Sequence, residues 1–233
     1  MPADDMMQTL LASFNDPEHA RRYSDGPQRF MPGFADLHRM TAILLAERVP
    51  DNARILVLGA GGGLEMRALA QAHQRWTFLG VDPAGAMLDE ARRVLGADVS
   101  RAKFCEGTID DAPEGPFDGA TCLLTLHFLG AEERTRTLRA LRRRLKPGAP
   151  FVAAHSSFPQ DGGARAQWLS RYAAFALASG AEAEQVEKMC ATVDAHVPML
   201  TPEQDEAILR EAGFTNVELF YAAFTWRGWI ACA

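Results

Sequence analysis

Between Arg54 and Ser156, short apolar runs alternate with stretches in which apolar residues return every three or four positions. The short runs suit strands buried on both faces, and the longer stretches suit helices packed on them. Strands are expected at Arg54 to Leu58, Trp76 to Val81, Lys103 to Glu106, Phe117 to Thr125 and Pro150 to His155. Helices are expected at about Gly63 to Ala72, Ala84 to Leu95 and Ala131 to Leu145. The last should end at Lys146, Pro147 and Gly148, which stop a helix and turn the chain. Alternation of this kind is the mark of a parallel sheet with helices on both faces, a doubly wound α/β fold.

After residue 200, Thr201, Pro202, Glu203 and Gln204 read as a helix start: a threonine cap, proline at the first helical position and a glutamine able to close a capping box. Gly213 supplies its stop. The tail predicts two strands, Asn216 to Phe224 and Trp226 to Cys232, too closely connected to be anything but antiparallel neighbours. The expected architecture is therefore seven strands, five parallel and two in a C-terminal hairpin. One domain over 1–233 is expected. It divides into an N-terminal helical cap over 1–50, a binding core over 51–157, a helical lid insertion over 158–200, and a last helix with hairpin over 201–233. The cap carries the amphipathic stretch PGFADLHRMTAILLAERV, and both flanks are placed in sequence to fold over the strand ends.

Composition narrows this picture little. With 233 residues, 48% hydrophobic and 23% charged, the chain can bury a real core without disulfide or metal staples. Cys105, Cys122, Cys190 and Cys232 have neither zinc-site spacing nor the density of a disulfide scaffold, and the six histidines show no metal-ligand spacing. An acidic start and no apolar stretch of membrane length predict a cytoplasmic protein without a membrane partner. The net charge of -6 argues against nucleic acid as a partner. The arginine-rich run EERTRTLRALRRRLKPG is expected to be a helix with a solvated outer face.

The stretch RILVLGAGGGLEMRALA puts Gly59, Gly61 and Gly63 in the first strand-to-helix turn, where such folds bind ligands. The dinucleotide fingerprint would need glycine at position 64, which is Leu64, and the GK[ST] ending of a P-loop is absent. The spacing GxGxG fits a loop for S-adenosylmethionine (SAM). Asp82, ending the second strand, suits a ribose, as a nicotinamide enzyme would also require.

Together VLGAGGG (57–63), GVDPAGAML (80–88), CEGTIDDAP (105–113), FDGATCLLTLHFL (117–129) and LKPGAPFVAAH (145–155) resemble the class I SAM-dependent methyltransferases, over essentially the whole chain. The resemblance implies a Rossmann-like sheet and SAM as cofactor, with S-adenosylhomocysteine as product. It implies Gly59, Ala60, Gly61 and Gly63 beside the methionine part, and Asp82 with Pro83 at the ribose. Met87 would lie against adenine, Thr108 and Ile109 at the base edge, and Thr125 to His127 near the sulfonium. Two positions depart from the pattern. Val57 stands where the family usually has an acid supporting the ammonium, and Thr108 where an aspartate often sits. Asp110 is a candidate to replace the second acid, and Glu65 or His127 the first.

The flanks PQRFMPGFADLHRM and EAGFTNVELFYAAFTW are similar to the carboxy-SAM synthase of the wobble-uridine tRNA pathway. That subfamily is expected to anchor its extra carboxylate with an arginine before the last helix, where this chain has VEKMCATVDAHVPMLTP and none.

Methyl transfer needs positioning more than acid–base chemistry, but His155 and His127, after the fifth and fourth strands, are the candidates for a catalytic base. His155 is expected to face the acceptor and His127 to pack under the cofactor. Candidates for acceptor contact in the flanks are Arg29, Phe34, His38, Trp168, Tyr172 and His196. The aromatic content there favours a flat or apolar small molecule. The expected function is methylation of a small-molecule acceptor. The alternatives are a carboxy-SAM synthase-like enzyme or a non-catalytic SAM-binding regulatory protein, with a nicotinamide oxidoreductase more distant. A homodimer is compatible with the sequence.

Overall fold

The computed structural model describes residues 9, 11–23 and 26–233. Of the cap expected over 1–50, residues 1–8, 10, 24 and 25 lie outside the described residues. Five strands pair in parallel: β1 (Arg54–Leu58), β2 (Thr77–Asp82), β3 (Ala102–Glu106), β4 (Gly119–Leu123) and β5 (Pro150–Ser156). β6 (Thr215–Ala223) and β7 (Trp226–Cys232) form the hairpin, and β7 lies antiparallel on β5. The spatial order is β3-β2-β1-β4-β5-β7-β6. It reverses direction between β1 and β4, and there the two connections leave a crevice at the strand carboxyl ends.

The alternation inside β1 shows why the sheet is buried on both sides. Ile55 and Val57 face a core shared with Leu45, Met66 and Trp76. Leu56 and Leu58 face the other core, with Leu138, Leu141 and Phe151. The helices covering these faces are α1 (Pro17–Arg22), α2 (Pro27–Phe30), α3 (Phe34–Ala46), α4 (Leu64–Ala72), α5 (Gly85–Leu95), α6 (Ala131–Arg143), α7 (Ala164–Ala178), α8 (Ala183–His196) and α9 (Pro202–Glu211). α9 opens with the capping box expected at Thr201 and Gln204, each side chain accepting the other's backbone N–H.

Two expectations are corrected. β4 is shorter than the stretch from Phe117 to Thr125, because Asp118 is drawn off to accept the Arg54 N–H and the Lys146 ammonium. At its other end Leu124 takes a left-handed φ of 58°. The arginines of α6 are not all on a solvated face. Arg134 is buried, pairs with Asp205 and donates to the carbonyls of Leu129 and Pro198. Arg144, just past the helix, is buried and donates to the carbonyl of Ala112.

Both flanks fold over the strand carboxyl ends. Leu11, Phe14, Ala20 and Tyr23 pack on Ala84, Ala86 and Met87 at the start of α5. Trp226 Nε1 donates to the Phe30 carbonyl at 3.1 Å, and the Phe30 ring lies 6.0 Å from that of Tyr172 on α7. The hairpin, the α2 turn and the lid thus brace one another.

Candidate cofactor and acceptor site

The glycine loop is held by its own packing. Gly59 has φ 73°, and a Cβ there would overlap the Thr125 hydroxyl. Gly63 has φ 78°, and a Cβ would lie 2.7 Å from the Ala91 Cα of α5. These two let the loop close on its neighbours. Gly61 differs, since the nearest atom to its Cβ position is the Met87 methyl at 3.6 Å. Its N–H donates to Asp82 Oδ2 at 2.8 Å, while the Ala84 N–H donates to Asp82 Oδ1 at 2.9 Å. Burial raises the Asp82 pKa, and the two N–H groups oppose that rise.

The Tyr23 ring lies over this loop, 3.3 Å from where a Cβ of Gly62 would stand. Burial pushes its phenol up to about 12, helped by the charges of Asp82 and Glu65. Met87 completes the cover. Thr125 donates to the Leu123 carbonyl at 3.0 Å, and Ala60 and Ile109 are buried in the core. Thr108 is exposed and caps the short turn Ile109–Asp111 with Asp111, while Asp110 is paired with Arg136. Pro83 is exposed.

Beside the loop, beyond Phe14 and Tyr23, lies a cavity of about 770 Å³. Its floor comes from the strand ends, through Leu124, His127 and Ser156. The hairpin adds Thr225 and Trp226, and the lid adds Tyr172 and Met189. The wall is chiefly apolar, but His127 Nδ1 and Thr225 Oγ1 are buried there without a hydrogen-bond partner among the described residues. Burial first, then the neighbouring His155 and Arg134, hold His127 well below the usual histidine pKa, so it is neutral. Leu124, with its left-handed backbone, and Thr225 carry no signal in the sequence. They reach the cavity because they sit at the turns that end β4 and begin β7.

The placement of His155 is a correction. It is 1% exposed, its ring lies 5.2 Å from Trp229, and its Nε2 is 3.2 Å from Asp205 Oδ2. His155 therefore belongs to a buried group with Asp205 and Arg134 behind the cavity, and it is His127 that lines the wall. Among the expected acceptor contacts, Tyr172 lines the cavity. Phe34 and His38 line a separate cleft of about 300 Å³ between α3 and α4. Trp168 packs on the Phe158, Val197 and Met199 cluster, with the Arg171 and Arg227 guanidinium groups over its ring. Arg29 and His196 are exposed and do not line the cavity, although their neighbours Phe30 and Val197 do.

Residues 55–148 match the model of the methyltransferase domain family. The carboxy-S-adenosyl-L-methionine synthase of Chromohalobacter salexigens is 27% identical over 214 residues, 90% of this chain and 79% of that protein. The one from Actinobacillus succinogenes is 28% identical over 222 residues, 91% and 90%. Human N-acetylserotonin methyltransferase in complex with SAM superposes with a TM-score of 0.65 at 13% identity, covering all of this chain. This chain spans 60% of that structure's length.

Proposed function

From a chain that carries the methyltransferase domain on the class I SAM-dependent methyltransferase fold, we propose transfer of the SAM methyl group to a small, largely apolar acceptor. The acceptor presents a hydroxyl or amine to His127. The observation that carries this reading is the apolar cavity beside the glycine loop, with His127 and Thr225 among its lining residues and each keeping a buried polar atom without a partner among the described residues. An apolar cavity with few convergent polar groups selects for shape and orients one polar handle.

The loop frame suits SAM: the Asp82 carboxylate at the end of β2 holds the Gly61 and Ala84 N–H groups, and the loop is covered by the Met87 and Tyr23 side chains, which a ligand would meet first. SAM, when bound, supplies an activated methyl carbon. The chain's own part is to bring a nucleophile in line with that carbon and to exclude water. Phe14, Tyr172 and Trp226 exclude water, and His127 and Thr225 orient the acceptor. A histidine held this far below its ordinary pKa is a poor proton acceptor, so His127 serves orientation rather than strong base catalysis.

The test is turnover of methyl-labelled SAM with a panel of phenols, aromatic amines and a metabolite extract. Formation of S-adenosylhomocysteine together with a labelled acceptor supports the reading. His127→Asn is expected to lower kcat about tenfold while leaving SAM affinity within twofold. Binding of SAM without turnover on any acceptor would overturn the reading in favour of a non-catalytic SAM binder.

One observation favours a second reading, a carboxy-SAM synthase-like activity: the two relatives above bear that name along most of their length. Against it, no arginine lies between Ala183 and Pro202, and Lys188 and His196 in that segment are exposed. Mass spectrometry of the small molecule that accompanies the purified protein separates the two, since carboxy-SAM would establish the second.

A further inference from the structure

SAM carries a nucleoside and, at the opposite end, an α-ammonium that needs an anionic or carbonyl acceptor. Asp82 is committed at the β2 end, with one oxygen on the Gly61 N–H and the other on the Ala84 N–H. On β1, Val57, two residues before Gly59, is fully buried, and its neighbour on β4 is Thr121. Glu65, two residues past the loop in the first turn of α4, is buried beside Thr121. Glu65 Oε1 and Thr121 Oγ1 have no hydrogen-bond partner among the described residues. A buried carboxyl with one oxygen unpartnered and only a hydroxyl beside it is costly, and a purely structural role at this spot would be filled better by an apolar or amide side chain.

We propose that Glu65 is the carboxylate that receives the ammonium of SAM, reaching from α4 the place that Val57 on β1 leaves without an acid. The surroundings agree. Burial pushes the Glu65 carboxyl up to about 8, against the pull of the Thr121 hydroxyl. The titratable groups that feel its charge are Tyr23 from the N-terminal segment and Cys122 from β4, both of which it raises. No cation compensates it there among the described residues. An ammonium arriving beside it therefore drives ionisation, and the proton leaves to solvent. This role depends on the cofactor and not on which acceptor is methylated.

The experiment is isothermal titration at pH 6.5 with SAM and with 5′-methylthioadenosine, which keeps the nucleoside and sulfur but lacks the amino-acid tail. Glu65→Gln is expected to weaken SAM about ten- to a hundredfold, the worth of a charge-assisted hydrogen bond, and methylthioadenosine less than twofold. Val57→Asp in a Glu65→Ala background is expected to restore most of the SAM affinity. Repeating the wild-type titration in buffers of different ionisation enthalpy is expected to show close to one proton more released with SAM than with methylthioadenosine. SAM affinity unchanged in Glu65→Gln, equal weakening of both ligands, or equal proton release by the wild type with both would each overturn the assignment. The last measurement needs no variant, so misfolding of a mutant cannot protect the idea.

Discussion

Gly61 donates its backbone N–H to the Asp82 carboxylate at 2.8 Å, and this bond ties the glycine loop to the end of β2 across 21 residues of chain. Because the other Asp82 oxygen accepts from Ala84, one side chain sets both the loop and the start of α5. Asp82→Ala leaves the Gly61 N–H without this acceptor and frees the loop. SAM affinity is expected to fall at least tenfold by calorimetry, with the protein still folded by circular dichroism. Unchanged SAM affinity would remove Asp82 from the cofactor site.

The three left-handed glycines separate into two kinds. Gly63→Ala puts a methyl 2.7 Å from the Ala91 Cα, where only a shift of α5 relieves it, on top of about 1–2 kcal/mol for the left-handed backbone. Gly61→Ala meets nothing closer than the flexible Met87 methyl at 3.6 Å. The first is expected to lower the melting temperature by roughly 10 °C or more. The second should lower it by only a few degrees and show its main effect on SAM binding. Equal melting temperatures for the two variants would contradict this division.

Arg134 and Asp205 are each 1% exposed and paired across 71 residues of chain, with His155 on the second Asp205 oxygen. Burial by itself would raise the Asp205 pKa, but His155 and Arg134 outweigh it and hold the carboxyl below its usual value. Removing one partner strands a buried charge, so Asp205→Ala is expected to cost about 3–5 kcal/mol in denaturant unfolding. The double variant Arg134→Met with Asp205→Leu, which buries no charge, should cost less than Asp205→Ala alone. A double variant less stable than the single one would show that the pair itself, and not avoidance of a lone charge, holds α9 on α6.

Periodicity and turn chemistry made most of this fold readable. β1 occurs where its apolar run ends in glycine, and α9 begins at the capping box spelled by Thr201 and Gln204. What one sequence hides is pairing over distance. Nothing near Arg134 marks it apart from Arg136, yet one is buried on Asp205 and the other is half-exposed on Glu133 and Asp110. The same limit explains the histidines: His127 follows β4 and His155 lies near the end of β5, and only the hairpin and α9 decide which one meets the cavity. Glu65 was legible as a charge inside an apolar stretch, but its burial against Thr121 depends on α4 closing over β4.

Stability should depend on pH through two opposed sets of groups. Burial raises the Glu65 carboxyl to about 8, above its unfolded value, so its contribution is full below about 4.5 and is lost as pH rises through 8. Burial, aided by the charge of Arg67, lowers His38 to about 4, and burial lowers His127 further. Their contribution is present above about 6.5 and is lost as pH falls. Between about 4.5 and 6.5 the two trends oppose each other. From 6.5 to 8 Glu65 is the group with a shifted pKa, among the described residues, that titrates, and unfolding free energy is expected to drop at up to about 1.4 kcal/mol per pH unit. Glu65→Gln removes that slope, so its stability without cofactor should climb up to pH 6.5 and then stay level to 8. Urea midpoints of both proteins at pH 5, 6, 7 and 8 measure this directly. A wild-type curve flat from 6.5 to 8 would mean that Glu65 is already ionised in the folded chain, with a cation or water at its side.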